Sequence, residues 1–304
     1  MTILQDPYVI KVGLGCNNNC KFCFQSERAP VLKDTASVQK ELLVAKCRGY
    51  SYLVFEGGEP TLNHNLNGLV RFARRVGFKQ IDIQSNGRMF AYMRVCQQLA
   101  REGVDIFSVS LHAHKEKIHD YLTSTPGSFK EVLQGIGNLR SLNQKVANQV
   151  AISKVNYRYL PEMIDFFVDC GICMLQLNFI QPIGIAAKNL KLLVPTESEV
   201  VPYVKKALRV AIARDLYVGT VAIPCCILGK YAGFAQEYKR ARAGEDPDHV
   251  PFKRKRSECE PCIFFAYCEG PWSAYVKYFG WKEFVPVKRA PSLLKVHRTR
   301  KVIR

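Results

Sequence analysis

The chain has no apolar run that approaches the roughly 20 residues a helix needs to span a bilayer, which excludes a membrane-crossing helix. Its first residues, MTILQDPYVI, carry no basic-then-apolar pattern, so no secretory leader is expected and a disulfide framework is disfavoured. The reading is of a cytoplasmic protein. Acidic residues are scarce: 26 Asp and Glu stand against 44 Lys and Arg, a formal charge of +18. A surface of that sign attracts polyanions such as RNA phosphates, acidic peptides and nucleotides. No RNA-binding signature accompanies it. Much of the charge is local, in Phe252-Lys253-Arg254-Lys255-Arg256 and in the tail from Lys295 to Arg304.

Cysteine, by contrast, is plentiful, with 12 residues; without a secretion signal that number points to metal ligation in a reducing compartment. Three of them form C-x3-C-x2-C in the run GLGCNNNCKFCF, as Cys16, Cys20 and Cys23. The run follows an apolar stretch, Tyr8 to Val12, that reads as a first strand. Three thiolates on one tight loop can hold three irons of a cubane [4Fe-4S] cluster and leave the fourth iron open to bind and activate something. A structural zinc site wants four closed ligands, and no fourth Cys or His lies near. A chance group of buried free cysteines stays open at this point. A second apolar strand, Tyr52 to Glu56, ends in Gly57-Gly58-Glu59-Pro60. Glycines at a strand end let a ligand approach the backbone, and a carboxylate beside them can hold an ammonium group.

The two motifs together resemble the radical S-adenosylmethionine (SAM) superfamily, over at least residues 8 to 185. Its members carry this cysteine loop after the first barrel strand, with an aromatic residue before the third cysteine (here Phe22), and a GGEP-type turn after the second strand. The resemblance implies a (β/α)6 partial barrel and a SAM molecule whose amine and carboxylate chelate the open iron. It also implies that Gly57, Gly58 and Glu59 hold the methionine amine and that Phe22 lies against adenine. Reductive cleavage of SAM, fed by a ferredoxin- or flavodoxin-like donor, would give a 5′-deoxyadenosyl radical that takes a hydrogen atom from a substrate.

The periodicity agrees with an α/β chain. Strands are expected at Gln80 to Ser85, Ile106 to Leu111, Gln149 to Val155 and Met174 to Ile180. Helical patterns near Asn65 to Val76, Met89 to Arg101, Lys115 to Leu122, Ser128 to Leu142 and Leu160 to Cys170 separate them. Six βα repeats imply a parallel sheet with right-handed crossovers, an open relative of the eight-fold barrel with its chemistry at the strand C-terminal ends. Residues 1–195 would form this core. At those ends Ser85 and Asn86 are candidates for SAM contacts, although an Asx-type turn with Gly87 explains them too. Ser108, Ser110 and His112 alternate onto one face. Asn178 and Gln181 could meet adenine or substrate, whereas His114 and His119 are expected at the surface. Cys47, Cys96, Cys170 and Cys173 read as buried small apolar residues.

Beyond about Leu193 the βα rhythm is expected to stop, with a helix near Glu197 to Arg214 and then more thiols: Cys225-Cys226 and Cys259-x2-Cys262-x5-Cys268. The C-x2-C-x5-C core resembles part of the SPASM/Twitch extension of radical SAM enzymes, though a full SPASM pattern has more cysteines. Residues 196–304 would then bind one auxiliary [4Fe-4S] cluster through Cys226, Cys259, Cys262 and Cys268, with Cys225 the alternative to Cys226. Zinc satisfies the same four thiols. The expected activity is radical modification of a peptide or small molecule, the second cluster assisting oxidation or crosslinking. Modification of tRNA or another RNA and a non-catalytic iron–sulfur protein are the alternatives. The molybdenum-cofactor GTP cyclase branch also shares one auxiliary cluster, but its terminal glycine pair is absent here, where the sequence ends Lys-Val-Ile-Arg.

Overall fold

The computed structural model describes residues 7–25, 31–244, 250, 252–289 and 291–294. The basic tail from Lys295 and residues Glu245, Asp246 and Pro247 of the charged loop lie outside the described residues. Two compact units divide the chain, Met1–Gln149 with Asp169–Cys173 and Val150–Val168 with Met174–Arg304.

In the first unit strands and helices alternate: β1 (Tyr8–Lys11), α1 (Thr35–Cys47), β2 (Tyr52–Glu56), α2 (Leu66–Arg75), β3 (Gln80–Ser85), α3 (Met93–Glu102), β4 (Ile106–Val109), α4 (Glu116–Thr123), α5 (Ser128–Ser141) and β5 (Lys145–Ile152). The last three residues of β5 belong to the second unit. That unit continues with α6 (Leu160–Asp169), β6 (Met174–Phe179), α7 (Ile185–Lys188), α8 (Leu190–Leu193), α9 (Glu197–Ala213), β7 (Tyr217–Val221), α10 (Cys225–Leu228), α11 (Gln236–Arg242) and α12 (Ser273–Phe279). Strand order follows the chain from β1 to β7, and each described pairing is parallel. This is the partial barrel that the βα alternation implies.

Three expectations are corrected. The rhythm does not stop near Leu193: after α9, β7 pairs with β6, Gln176 opposite Gly219. The fifth strand starts at Lys145, four residues before the expected Gln149. A helix that the apolar pattern did not mark, α1, joins β1 to β2; Asp34 caps it by accepting from the Ser37 N–H at 3.0 Å.

Alternation along the strands separates two faces. Ile10, Leu53, Phe55, Ile81, Ile83, Phe107 and Val146 are each 0% exposed and form one of them. Right-handed crossovers put the connecting helices on that side. Burying each such side chain is worth about 1.5–3 kcal/mol, so strand register in this unit is firmly specified: a one-residue slip would turn the whole set away from the helices. The opposite face carries Lys11, Tyr52, Glu56, Asp82, Gln84 and Ser108, a polar lining no parallel sheet needs for stability alone.

Candidate active site and cysteine-lined cavity

The cysteine loop is held against the end of β2 by backbone pairing. Gly58 N–H donates to Gly13 O at 3.0 Å and Glu59 N–H to Gly15 O at 2.8 Å, which continues the β1–β2 ladder past both strands. The glycine pair is required by this approach. A Cβ on Gly57 (φ +148°) would lie 2.1 Å from Gly13 O, and one on Gly58 2.3 Å from both Leu14 O and Gly15 O. The glycines, read from sequence as room for a ligand, make room for the loop that carries Cys16.

Glu59 is 3% exposed and its carboxylate accepts from four donors: the Thr61 N–H at 3.0 Å, the Thr61 hydroxyl, the Ser85 hydroxyl at 2.8 Å and the Asn86 N–H at 2.6 Å. Burial holds it above the usual carboxylate range, against the pull of those donors. It thereby ties the end of β2 to the end of β3. Ser85 also accepts from Gly87 N–H at 2.9 Å, so its hydroxyl both donates and accepts within the protein. Asn86 extends to the cysteine loop, its Nδ2 lying 2.6 Å from Asn17 Oδ1 and 3.7 Å from Cys16 Sγ, while its Oδ1 accepts from Arg88 N–H at 3.0 Å.

The rest of the loop is pinned from two further elements. Asn19 N–H donates to Thr123 O at 3.1 Å and Lys21 N–H to Leu122 O at 3.0 Å, at the C-terminal end of α4. Arg88 bridges Glu131 of α5 to the Asn17 carbonyl. Arg88 escaped the sequence reading, which stopped at Gly87; a cation one residue past a strand-end turn was the signal available. Burial pushes the Cys16 thiol up, and burial followed by repulsion from Cys16 and Cys23 pushes Cys20 further up.

Phe22 packs edge-on against His112, ring centroids 4.9 Å apart. His112 is 5% exposed, and burial lowers it to about 3, so the ring stays neutral. His119, expected at the surface, is 0% exposed: its Nδ1 accepts the His112 N–H at 3.1 Å and its ring stacks on that of His112. Ser110 is half-buried just past β4, and Asn178 is half-buried on β6 in the second unit, opposite Val221. Of the four cysteines read as buried, only Cys96 is; Cys47 is exposed and Cys170 and Cys173 are half-buried.

In the second unit, Cys226, Cys259, Cys262 and Cys268 line one cavity of about 380 Å³, counting its open mouth. Lys255 and a wall of Pro224, Phe264, Phe265, Pro271, Phe284 and Pro286 complete it. Backbone N–H groups already point at two of these sulfurs, Gly270 at Cys268 (3.3 Å) and Val287 at Cys262 (3.3 Å). Cys225, 0% exposed, does not line the cavity but hydrogen-bonds Cys268, and that bond holds the Cys268 thiol below its ordinary range. The basic run from Phe252 is largely engaged here. Lys253 is buried in an ion pair with Glu269 at 2.5 Å, Lys255 lies over the Phe265 ring at 4.1 Å, and Arg256 lies over Trp281 at 5.2 Å.

The Radical SAM superfamily profile matches residues 10–167. The chain belongs to the radical SAM superfamily. It is 26% identical over 174 residues to a probable GTP 3′,8-cyclase of Sulfurisphaera tokodaii, covering 56% of this chain and 54% of that one. It is 25% identical over 189 residues to an AdoMet-dependent heme synthase of Oleidesulfovibrio alaskensis, covering 61% and 45% respectively. The chain thus spans about half the length of the curated relatives it matches. Among solved structures, Streptococcus suis SuiB bound to its precursor peptide SuiA superposes with a TM-score of 0.60 at 18% identity, over 70% of this chain and 48% of that one. A radical SAM protein requires a thiolate loop for one cluster, and the donor set at Cys16, Cys20 and Cys23 fits: three sulfurs stand on one loop, and two of them, Cys16 and Cys20, are raised by burial and so ionise readily only beside strongly cationic metal. The donor types at the cavity, four sulfurs with N–H donors to two of them and one lysine, fit a thiolate-bound metal or cluster. Among the described residues no helix is long and apolar enough to cross a membrane.

Proposed function

We propose that this radical SAM protein abstracts a hydrogen atom from a peptide or small-molecule substrate, using a SAM-binding [4Fe-4S] cluster on Cys16, Cys20 and Cys23. Cys226, Cys259, Cys262 and Cys268, all beyond β7, would hold a second [4Fe-4S] cluster, which would supply a one-electron acceptor for the substrate. When bound, the first cluster and SAM supply one-electron reductive cleavage and a hydrogen-abstracting carbon radical. The chain's residues supply position. Glu59 and the glycine pair fix the cysteine loop relative to β3, Asn86 and the Asn18 N–H hydrogen-bond the Cys16 sulfur, and Arg88 braces the loop from outside. His112 and Phe22 form a neutral apolar wall beside the third cysteine, suited to a flat aromatic base. Electrons would come from a ferredoxin- or flavodoxin-like donor, consistent with the low potential that sulfonium reduction demands.

The observation that carries this reading is the union of the Cys16 loop with the Glu59 turn and Asn86 at the ends of β2 and β3. The N–H groups directed at Cys262 and Cys268 suit thiolates that hold a metal, and in an iron–sulfur cluster such hydrogen bonds tune the potential. Anaerobic reconstitution tests both. The expected outcome is about 8 irons per chain, falling to about 4 when Cys16, Cys20 and Cys23 are replaced by alanine. Dithionite-reduced protein should release 5′-deoxyadenosine from SAM, and the triple variant should not. Release by neither protein sinks the enzyme reading, and about 4 irons with one zinc in the wild type moves the second site to zinc.

A further inference from the structure

The polar face of the first unit's sheet carries a carboxylate that has no counter-ion among the described residues. Register sets Lys11 opposite Glu56 and Gln84 opposite Ser108, a row one step below Gly13, Gly58 and Asn86 of the candidate active site. Asp82 lies one step lower, 4% exposed. Its Oδ2 accepts from Ser108 Oγ at 2.9 Å and Tyr52 OH at 3.4 Å, and its Oδ1 accepts no hydrogen bond among the described residues. Among the described residues no cation forms an ion pair with it. Lys11, the cation on this row, is drawn to Glu56 at 4.0 Å.

A buried carboxylate with one oxygen that no described group bonds and no described cation beside it is costly unless a donor reaches that oxygen. The helices lie on the other side of the sheet, so this face needs no carboxylate for packing. We propose that Asp82, with Glu56 above it, forms the floor of a substrate subsite that takes a cationic nitrogen group, ammonium or guanidinium. This rests on the proposed function, because the row above it is where SAM is placed. It narrows the substrate class to a peptide or small molecule bearing an amino or guanidino group, with N–H donors satisfying Oδ1 while the hydroxyls of Ser108 and Tyr52 hold Oδ2. Burial raises Asp82 to about 7, and an arriving cation favours its ionised form.

The test uses reconstituted full-length protein with SAM and four capped pentapeptides, Gly-Gly-Xaa-Gly-Gly with Xaa Lys, Arg, Leu or Glu, measured by calorimetry. The lysine or arginine peptide should bind about tenfold or more tightly than the leucine and glutamate peptides. A net charge of +18 makes non-specific attraction favour the glutamate peptide, so a cation preference has to come from a specific site. Asp82→Asn, checked for iron content and circular dichroism, should remove that preference, and Glu56→Gln should weaken it. Equal binding of all four peptides to the wild type, or a preference untouched in folded Asp82→Asn, overturns the assignment. The SAM-induced change in the electron paramagnetic resonance spectrum of the reduced wild type is recorded in the same samples. Its absence refutes the radical SAM reading itself, whereas its presence without a cation preference refutes only the subsite.

Discussion

Replacing Gly58 by alanine should detach the cysteine loop from the sheet. The new Cβ meets two backbone oxygens at 2.3 Å and the Leu14 carbonyl carbon at 2.6 Å, and none of these can swing aside as a side-chain end would. Relief requires the strand-end loop and the turn to part by close to an ångström. Overpacking of this kind costs about 1–3 kcal/mol. The movement also stretches the Gly58 and Glu59 N–H bonds to the loop, about 1 kcal/mol each. The sum is about 3–5 kcal/mol, concentrated where Cys16 is held.

Two measurements read it. Thermal unfolding followed by circular dichroism should show a fall on the order of 5–15 °C for a unit of this size. Anaerobic reconstitution should leave about 4 irons of about 8, because the second cysteine cavity belongs to another compact unit. Gly137→Ala is the control: that glycine is exposed on α5, a Cβ there meets nothing within 4 Å, and the change should stabilise by about 0.5–1 kcal/mol. If Gly58→Ala binds full iron and melts with Gly137→Ala, the close approach of loop and turn is refuted.

Further predictions concern single side chains. Cys226→Ala should remove the iron of the second site, leaving about 4 per chain, whereas Cys225→Ala should retain it; equal loss in both would mean that Cys225 is a ligand. Arg88→Ala removes the link from Glu131 to the Asn17 carbonyl and should speed release of first-site iron to a ferrous chelator several-fold, with second-site iron unaffected. Asp82 is raised to about 7, above its ordinary value of 3.8. From about pH 4 the unfolded chain ionises while the folded one keeps its proton, so its contribution falls as pH rises and is lost above 7. Asp82→Asn should therefore be the more stable protein at pH 8, on the order of a few kcal/mol, with the gap narrowing to less than half by pH 5 and closing only near pH 4 in denaturant titrations. A constant gap across that range would contradict the burial of an unpaired carboxylate.

Strands β2 and β3 were legible to the residue because buried parallel strands are short apolar runs bounded by turn residues, as in Tyr52 to Glu56 before Gly57-Gly58. The start of β5 was not, because Lys145 and Asn148 interrupt the apolar pattern. Asn148 is there to bond the Leu111 backbone at both N–H (2.8 Å) and C=O (3.0 Å), extending β4 with a side chain. Strand β7 was missed because Gly219 and Thr220 make Tyr217 to Val221 weakly apolar. Helix α1 was missed because its core contact is the narrow stripe Val38, Leu42 and Ala45, while Leu43 and Val44 are exposed and blur the period. His119 sits in a charged run, Lys-Glu-Lys-Ile-His-Asp, and only the helical spacing to buried Leu122 marked it as inward. The interior meaning of the basic run at Lys253 was likewise invisible, since its buried partner Glu269 lies 16 residues on.

Two kinds of buried charge among the described residues bear on ligands. Lys253 and Glu269 are matched within the fold, and so is half-exposed Glu131 by Arg88; such pairs hold loops in place. The second kind is unmatched negative character: Cys20 is raised by burial and by the thiols beside it, and Asp82 is raised by burial with one oxygen empty. A folded chain gains nothing from these groups on its own, and an alanine or asparagine in each place would be the more stable choice. What they have in common is the sign of the ligand they need. Thiols on a loop call for soft metal cations, and a carboxylate among hydroxyls calls for a nitrogen cation or another strong donor. The same reasoning sets the order of binding effects. Iron should stabilise the first unit strongly by mass action, and a cationic substrate should do so more weakly and only through Asp82. A metal-loaded protein whose melting temperature rises with the lysine peptide in the wild type but not in Asp82→Asn would display both kinds of unmatched charge finding their ligands.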